Sequence, residues 1–277
     1  MGSGILSYFA ACAGAKKVYG VEACLGFAKE VQKVLDHNKL SNIIQIVPGM
    51  MENVIIPEKV DVIISEWMGY MLLYESMLDS VIYARDNYLK PNGRILPSRC
   101  EIFLMPFSDL DDTQEDNDFW KNVYGLDMSP LIPFAKECES KEPEIALMPP
   151  QYQMALKPQC IKQIDCMTVK SDELNVISNF TFKSMINGCL NGFAIWFNVE
   201  FDTDDTSKVI PLKTGPEDPE THWCQTLLNF TDGIDINQDE EITGNIIMDR
   251  SKIHKRALSI TISLSKPKNI TKEFLFE

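Results

Sequence analysis

Two glutamates, Glu66 and Glu75, lie nine residues apart in the segment SEWMGYMLLYESML, Ser65 to Leu78, among aromatic and apolar residues. A carboxylate in such surroundings is costly unless it is paired with a cation. A guanidinium is the natural partner, because its planar fork matches a carboxylate through two parallel hydrogen bonds. The pair therefore indicates a guanidinium site, although an exposed loop and helix face would place the same residues in solvent.

A glycine-containing segment near the start, GSGIL, Gly2 to Leu6, opens a predicted helix. Glycines let the backbone approach a nucleotide-like ligand, and a helix N-terminus adds hydrogen-bond donors. Glu22 ends the next predicted strand, 18 residues after Gly4, close to the spacing at which an acidic residue reaches ribose hydroxyls. Met51 and Glu52 follow a later strand, at the sheet edge where such ligands lie. This order favours a dinucleotide or adenosine ligand; a helix-start turn with solvated glutamates is the alternative.

The segment THW, Thr221 to Trp223, follows a proline-rich turn and precedes an apolar strand. The chain has three histidines, and the other two, His37 and His254, fall at a predicted helix end and in a basic turn, where solvent is the expected environment. His222 is therefore the histidine most constrained by its neighbours. A single histidine is more often structural than catalytic, so both interpretations stay open.

The elements that carry these residues change character along the chain. Up to about Pro97, strands alternate with helices, which predicts right-handed crossovers and a doubly wound α/β sheet. The apolar run Val60 to Ser65 is typical of a strand covered on both faces, and Met68 to Leu89 is predicted to be helical. After Pro97 the strands and turn residues predict an antiparallel β sandwich or barrel. An acidic, aromatic stretch, Ser108 to Ala135, is interpreted as an inserted arm.

The composition excludes several functional classes. Among 277 residues, 26 are Lys or Arg and 40 are Asp or Glu, for a net charge of −14. This balance argues against an electrostatic nucleic-acid binder and against docking on anionic lipid, and it favours basic partners. No apolar run has the length of a membrane span. The eight cysteines contain no CxxC pair, which argues against a zinc site or a disulfide framework and favours reduced thiols.

Together the motifs are more specific than any one of them. GSGIL, the acid after the next strand, SEWMGYMLLYESML and THW follow one another in the order seen in the protein arginine N-methyltransferases, which the chain resembles from Gly2 to its C-terminus. The segments FAIWFNVEF, Phe193 to Phe201, and FWKNVYGLDMS, Phe119 to Ser129, are also similar to that family. The double-glutamate segment is the most specific mark of the resemblance.

The resemblance implies a Rossmann-like S-adenosylmethionine-binding domain over residues 1–98. An antiparallel β-barrel domain would follow over residues 99–277, with a dimerisation arm inserted at about 108–137. In the family, a strand of the type VLDVG precedes the glycines, and helices before it fold over the cofactor; this chain begins after that point, at Met1. We therefore expect an α/β domain that lacks its first strand and binds S-adenosylmethionine weakly.

The resemblance also implies a cofactor site for S-adenosyl-L-methionine and no metal. Gly2 and Gly4 would pass near the methionine part of the cofactor. Glu22 would bind the ribose hydroxyls, and Met51 and Glu52 would meet the adenine. These assignments rest on the family's motif rather than on spacing alone.

On the substrate side, the resemblance implies that Glu66 and Glu75 clamp the arginine guanidinium and leave the attacking nitrogen more nucleophilic. His222 would hold the substrate pocket and assist proton loss. Met77 matches a position that leaves room for asymmetric dimethylation. With Trp223 in THW, it makes the chain similar to the type I branch, whose products are mono- and asymmetric dimethylarginine.

Within that branch, the segments NGFAIWFNVEF and TKEFLFE resemble the nuclear, histone-methylating subfamily six. The implied partners are arginine-rich proteins such as histone tails and Gly-Arg-rich segments, and a second copy of the chain through the arm. Neither nucleic acid nor membrane is expected to bind directly, and the expected location is nucleus and cytoplasm. One alternative is a truncated, catalytically weak dimerisation or arginine-binding module. A second, a small-molecule methyltransferase, is disfavoured by the double-glutamate segment and the β domain.

Overall fold

A computed structural model of the protein describes residues 1–109, 118–202, 208–251 and 254–277. Its first part contains α1 (Ile5–Cys12), β1 (Val18–Glu22), α2 (Leu25–His37), β2 (Ile44–Pro48), β3 (Val60–Ile64), α3 (Leu78–Tyr88) and β4 (Leu89–Leu96). The rest contains β5 (Arg99–Phe107), α4 (Ile132–Glu139), β6 (Glu144–Ala146), β7 (Gln159–Asp165), β8 (Val176–Lys183), β9 (Gly188–Asp202), β10 (Val209–Lys213), β11 (Gln225–Ile236), β12 (Glu241–Arg250), β13 (Leu258–Lys266) and β14 (Ile270–Phe276).

The α/β part forms two small parallel sheets. Strand β1 pairs with β2, placing Val18 opposite Ile44, and β3 pairs with β4, placing Ile63 opposite Ile95. No described strand joins β1 to β3. The predicted doubly wound sheet is therefore divided between β1 and β3 in the described residues, as expected for an α/β domain that lacks its first strand.

Strand β3 also differs from its predicted environment. Its apolar sequence favours burial on both faces, yet Val62 and Ile64 are exposed. The strand pairs only with β4 among the described strands and packs against α3. An apolar run predicts that a strand forms. Whether that strand is buried depends on neighbours that lie elsewhere in the chain.

The helix predicted from Met68 begins only at Leu78. The preceding residues form a loop, in which φ is 52° at Met71, 69° at Leu72, 75° at Glu75 and 56° at Ser76. A right-handed helix cannot contain such left-handed residues. The apolar side chains of this loop are buried against the β domain, and this burial produces the spacing that suggested a helix.

The second part consists of two antiparallel sheets, as the sequence predicts. One sheet has the order β6-β11-β9-β5-β7, with β10 also paired to β9, and the other has the order β14-β13-β12-β8. Alternate residues of both sheets point into one core, where the ring of Phe193 on β9 lies 5.0 Å from that of Phe180 and 6.0 Å from that of Phe230. The loop between β3 and α3 contributes Trp67 and Leu72 to the same core.

The predicted arm at about 108–137 falls partly outside the described residues, because 110–117 are not among them. The described portion contains a turn in which Val123 bridges to Leu126, followed by α4. Large apolar side chains are exposed along it: Phe119, Tyr124, Leu126, Leu131 and Phe134. Such a concentration is typical of a surface that packs on another molecule.

All eight cysteines are free. In the described ranges, no helix has both the length and the apolarity needed to cross a bilayer. In the same ranges, no three His, Cys, Asp or Glu side chains are grouped so that they could hold a metal ion.

Candidate functional site

The loop between β3 and α3 carries both predicted clamp residues. Glu66 comes two residues after the end of β3, and its Oε1 accepts the main-chain N–H of Met68 at 3.2 Å. Gly69 and Leu72 exchange main-chain hydrogen bonds of 3.1 and 3.0 Å, which closes a tight turn. A Cβ at Gly69 would lie 2.2 Å from the carbonyl oxygen of Tyr74, so the turn requires glycine there.

The β domain holds this loop at two points. Trp223 Nε1 donates a buried hydrogen bond of 2.9 Å to the carbonyl oxygen of Met68, near Glu66. At the other end, the main-chain N–H of Glu75 donates to the carbonyl oxygen of Arg256 at 2.9 Å, and Ser76 Oγ donates to the carbonyl oxygen of Lys255. The left-handed conformation at Glu75 is therefore held by contacts from the turn between β12 and β13.

An arginine already lies on Glu75. Arg256 Nη2 is 2.9 Å from Glu75 Oε1, and the Glu75 side chain is 36% exposed. The carboxylate is thus accessible and is oriented to accept a guanidinium. Arg256 is a residue that the sequence analysis missed, and the basic composition of KIHKRAL, residues 252–258, is the one signal that could have pointed to it.

The THW segment lies beside the loop through its tryptophan. Trp223 is buried, whereas His222 is exposed, and the two ring centroids are 3.9 Å apart with an angle of 35° between the planes. The structure therefore brings Trp223 to the anchor of the double-glutamate loop and leaves His222 accessible next to it.

Met77 comes directly before α3 and is partly exposed. It lines a small cavity together with Trp67 and Ser76. Trp67 is buried, and its Nε1 has no hydrogen-bond partner within the described part of the chain. The predicted substrate residue Met77 therefore lies two residues after Glu75, at the C-terminal end of the loop, where its flexible thioether can adapt to neighbouring groups.

The predicted cofactor residues come together at the start of α1 and the end of β1. Gly2 and Gly4 have φ values of 56° and 88°, a conformation that favours glycine. The main-chain N–H of Gly2 donates to Glu22 Oε2 at 2.9 Å, and that of Cys24 donates to Glu22 Oε1 at 2.9 Å. Partial burial raises the pKa of Glu22, but these N–H donors and the Met1 ammonium outweigh it and lower the pKa below its usual value.

Glu52 lies in the turn after β2, as predicted, and reaches α3. Its Oε1 accepts the hydroxyl of Ser80 at 2.5 Å, whereas its Oε2 is buried without a partner among the residues that the structure describes. Such an oxygen is an acceptor ready for an N–H donor. Met51, its neighbour, is half-buried. Ser80 is a further residue that the sequence analysis did not single out.

These groups fit an adenosine-bearing ligand. An ionised carboxylate has about four lone-pair sites, so Glu22 can accept ribose hydroxyls in addition to its two N–H donors. The partnerless Oε2 of Glu52 suits the exocyclic amine of adenine. Gly2 and Gly4 carry no side chain that would block the approach of the ligand to the backbone.

The chain is similar to proteins of known family. The family model described as "Arginine methyltransferase oligomerization subdomain" matches residues 98–268. The "Probable protein arginine N-methyltransferase 6" of Arabidopsis thaliana is 42% identical over an alignment that covers 95% of this chain and 68% of that protein.

Two solved structures are similar over the whole chain. Arabidopsis thaliana protein arginine methyltransferase 10, in an open conformation, has a TM-score of 0.84 and 33% identity, and covers 100% of this chain and 87% of that one. The Trypanosoma brucei PRMT1 enzyme–prozyme heterotetrameric complex with AdoHcy has a TM-score of 0.87 and 30% identity. That match covers 100% of this chain and 86% of the chain in the complex. Such neighbours imply a methyltransferase domain followed by a β-barrel. With a family model over more than half its length and a relative aligned over nearly all of it, the chain belongs to the protein arginine N-methyltransferase family.

Proposed function

We propose that this chain transfers methyl groups from S-adenosyl-L-methionine to guanidinium nitrogens of arginine in proteins such as histones. Its products are mono- and asymmetric dimethylarginine. The observation that carries the proposal is the loop between β3 and α3, which presents Glu66 and Glu75 and is fixed by Trp223. The ion pair on Glu75 supports a guanidinium as the group that this loop recognises.

The cofactor side of the proposal rests on Glu22, Glu52 and the two glycines. Glu22 binds the ribose hydroxyls, Glu52 and Met51 hold the adenine, and Gly2 and Gly4 pass beside the methionine part. When bound, S-adenosyl-L-methionine supplies an electrophilic methyl group on its sulfonium. The related Trypanosoma complex contains AdoHcy, which supports this ligand class.

On the substrate side, the two glutamates act by position and charge. Each accepts N–H bonds from the guanidinium, draws positive charge towards the nitrogens that it contacts, and leaves the remaining nitrogen more nucleophilic. Holding that nitrogen in line with the methyl group supplies much of the rate. His222, exposed beside Trp223, takes up the proton that the nitrogen releases and passes it to solvent.

Three features support the product and the substrate class. Met77 is flexible and only partly buried, so it leaves room for a second methyl on the same nitrogen. Trp223 holds the loop that precedes Met77. The net charge of −14 favours arginine-rich chains such as histone tails and Gly-Arg-rich segments, through an attraction that weakens with salt.

We further propose that two copies associate through the arm. The matched oligomerization subdomain and the heterotetrameric relative support assembly, and the exposed apolar residues of the arm supply a surface for it. We propose no direct binding of nucleic acid or membrane, consistent with the acidic charge. Free cysteines fit a reducing compartment, which supports nucleus and cytoplasm as the location.

The test is methyl transfer to a histone-tail peptide, read by mass spectrometry that separates the two dimethylarginine isomers. We expect mono- and asymmetric dimethylarginine from the wild-type chain, formed slowly, because no described strand joins β1 to β3 in the cofactor domain. Glu75→Gln keeps the shape of the side chain but removes the charge, and we expect the rate to fall about 100-fold or more. Glu30→Gln is the matched control, because Glu30 is exposed on α2 and pairs with Lys33.

Each outcome is decisive. Transfer that survives Glu75→Gln contradicts the role of the clamp. Symmetric dimethylarginine contradicts the type I assignment. Binding of the peptide without transfer favours the alternative of an arginine-binding module.

A further inference from the structure

The turn between β12 and β13 contacts Glu75 in two chemically different ways. Through its main chain, the carbonyl oxygens of Lys255 and Arg256 accept hydrogen bonds from Ser76 and Glu75 and hold the loop. Through its side chain, Arg256 places a guanidinium on the Glu75 carboxylate. The first contact does not depend on the identity of residue 256, whereas the second does. The two contributions can therefore be separated by substitution.

We propose that Arg256 is an internal competitor for the substrate arginine: it occupies Glu75 in the free protein and leaves when a substrate guanidinium binds. This inference rests on the proposed function, because it takes Glu75 as the group that binds substrate. Arg256 thereby sets the affinity of the site for any cation that must displace it.

The geometry supports displacement rather than a permanent bond. Arg256 Nη2 lies 2.9 Å from Glu75 Oε1 as an ion pair, and the two side chains form no paired hydrogen bonds within the part of the chain that the structure describes. A guanidinium that pairs side-on with a carboxylate uses both of its oxygens, so a substrate arginine needs the oxygen that Arg256 occupies. Two parallel hydrogen bonds then replace a single ion-pair contact.

Exposure keeps the cost of displacement low. The Arg256 side chain is 70% exposed, against 36% for Glu75. An ion pair this accessible contributes little free energy, since water solvates the released guanidinium and salt screens the attraction. Arg256 therefore competes measurably with substrate but does not close the site.

The preference of the site for arginine over lysine comes from Glu75 itself. A lysine ammonium is a point charge and cannot form the paired contacts of a guanidinium with one carboxylate. A substrate arginine gains two parallel hydrogen bonds and binds more tightly. Because either cation must displace Arg256 to bind Glu75, Arg256 lowers the affinity of both by the same factor.

The test is the affinity of a fluorescein-labelled Gly-Arg-rich peptide for the full chain, measured by fluorescence anisotropy. We expect Arg256→Ala to tighten binding about two- to fivefold, the range that an exposed ion pair represents. Arg256→Lys keeps the positive charge but loses the planar guanidinium. The affinity of this variant for the peptide should therefore lie between those of the wild-type chain and Arg256→Ala. A peptide with lysine in place of arginine should bind more weakly, and Arg256→Ala should tighten its binding by about the same factor, because both peptides must displace the same competitor.

Two further variants isolate the mechanism. Lys255→Ala removes a positive charge from the same turn and measures the general electrostatic effect, which should be smaller than that of Arg256→Ala. In the Glu75→Gln background, Arg256→Ala should change affinity no more than Lys255→Ala does, because the contested carboxylate charge is gone. Equal thermal melting of all variants shows that the loop remains folded.

The inference is overturned if Arg256→Ala weakens binding or leaves it unchanged, or if its effect persists in the Glu75→Gln background. Its failure is distinguishable from failure of the proposed function. Methyl transfer with no coupling between residues 75 and 256 refutes the competitor alone. Coupling in the binding assay without methyl transfer refutes the enzyme assignment alone.

Discussion

The two sides of the proposed site rest on very different cores. The segment with α1, β1, α2 and β2 has a cluster of three fully buried apolar residues, Val31, Leu35 and Ile44. The double-glutamate loop belongs instead to the large core shared by both β sheets. The cofactor residues Gly2, Gly4 and Glu22 are therefore supported by a small hydrophobic cluster, and the substrate clamp by a large one.

This difference predicts unequal local stability. A region with few buried apolar contacts opens at lower free energy than the region that holds the main core. The links between the first segment and the remainder include polar contacts. Lys17 and Tyr19 form hydrogen bonds with the exposed Glu58, and Ser80 forms one with Glu52. We expect the cofactor side to open while the substrate clamp stays folded.

The largest effect is expected from Phe193→Ala, which removes a ring from the centre of the large core. Phe193 is fully buried on β9, and its loss should lower the free energy of unfolding by about 3–5 kcal/mol. The measurement is urea unfolding followed by tryptophan fluorescence, since all four tryptophans lie at residue 67 or later. Phe119→Ala, at an exposed arm position, is the control. A loss below about 1 kcal/mol at Phe193 would contradict the role assigned to this core.

Leu35→Ala tests the small cluster. Leu35 is fully buried on α2, and we expect a local loss of about 2–3 kcal/mol, seen as faster amide hydrogen exchange in α2, β1 and β2. The tryptophan-detected midpoint should stay nearly constant. Val34→Ala, at the exposed neighbouring position, is the control. If tryptophan fluorescence shows as large a loss of stability in Leu35→Ala as amide exchange does, the two regions unfold as one unit.

Trp223→Phe sharpens the comparison at the boundary of the large core. It removes the indole N–H and leaves the carbonyl of Met68 without its buried donor, at a cost of about 1–2 kcal/mol. The Trp223→Phe variant should also bind an arginine peptide more weakly, because the loop loses one of its two anchors. Trp120→Phe makes the same change in the arm and serves as the control. Equal peptide affinity in the two variants would show that the anchor does not position the clamp.

The smallest effect is expected at Glu22. Its pKa is lowered in the folded protein, so it stabilises the fold fully above its unfolded pKa, and that stabilisation is lost as the pH falls through the folded pKa. Glu22→Gln should be less stable than wild type by about 1 kcal/mol at neutral pH, with the difference closing in acid. The measurement is thermal melting by circular dichroism from neutral to acidic pH, with Glu30→Gln as control. A difference that grows in acid would reverse the sign of this linkage.

Sequence reasoning succeeded where local chemistry decides the outcome. The positions of β1, α2 and β2 follow from apolar spacing, and Glu22 was predicted to end its strand beside the glycine turn, as it does. It failed at Met68 to Met77, where the apolar residues buried against the β domain have the spacing expected of a helix but form a loop. Nothing within ten residues of Met68 specifies its anchor, because Trp223 lies 155 residues away. Arg256 was missed for the same reason, since its contact with Glu75 exists only after the chain has folded.

The position of the anchors along the chain has a consequence for biosynthesis. Glu66 and Glu75 leave the ribosome well before Trp223 and Arg256, which fix the loop from the other end of the chain. At about 5–20 residues per second, roughly 10–30 s separate synthesis of Met68 from that of Trp223. Throughout that interval the nascent chain carries both carboxylates without the contacts that orient them. Recognition of arginine therefore begins late in translation, when the turn after β12 has been made.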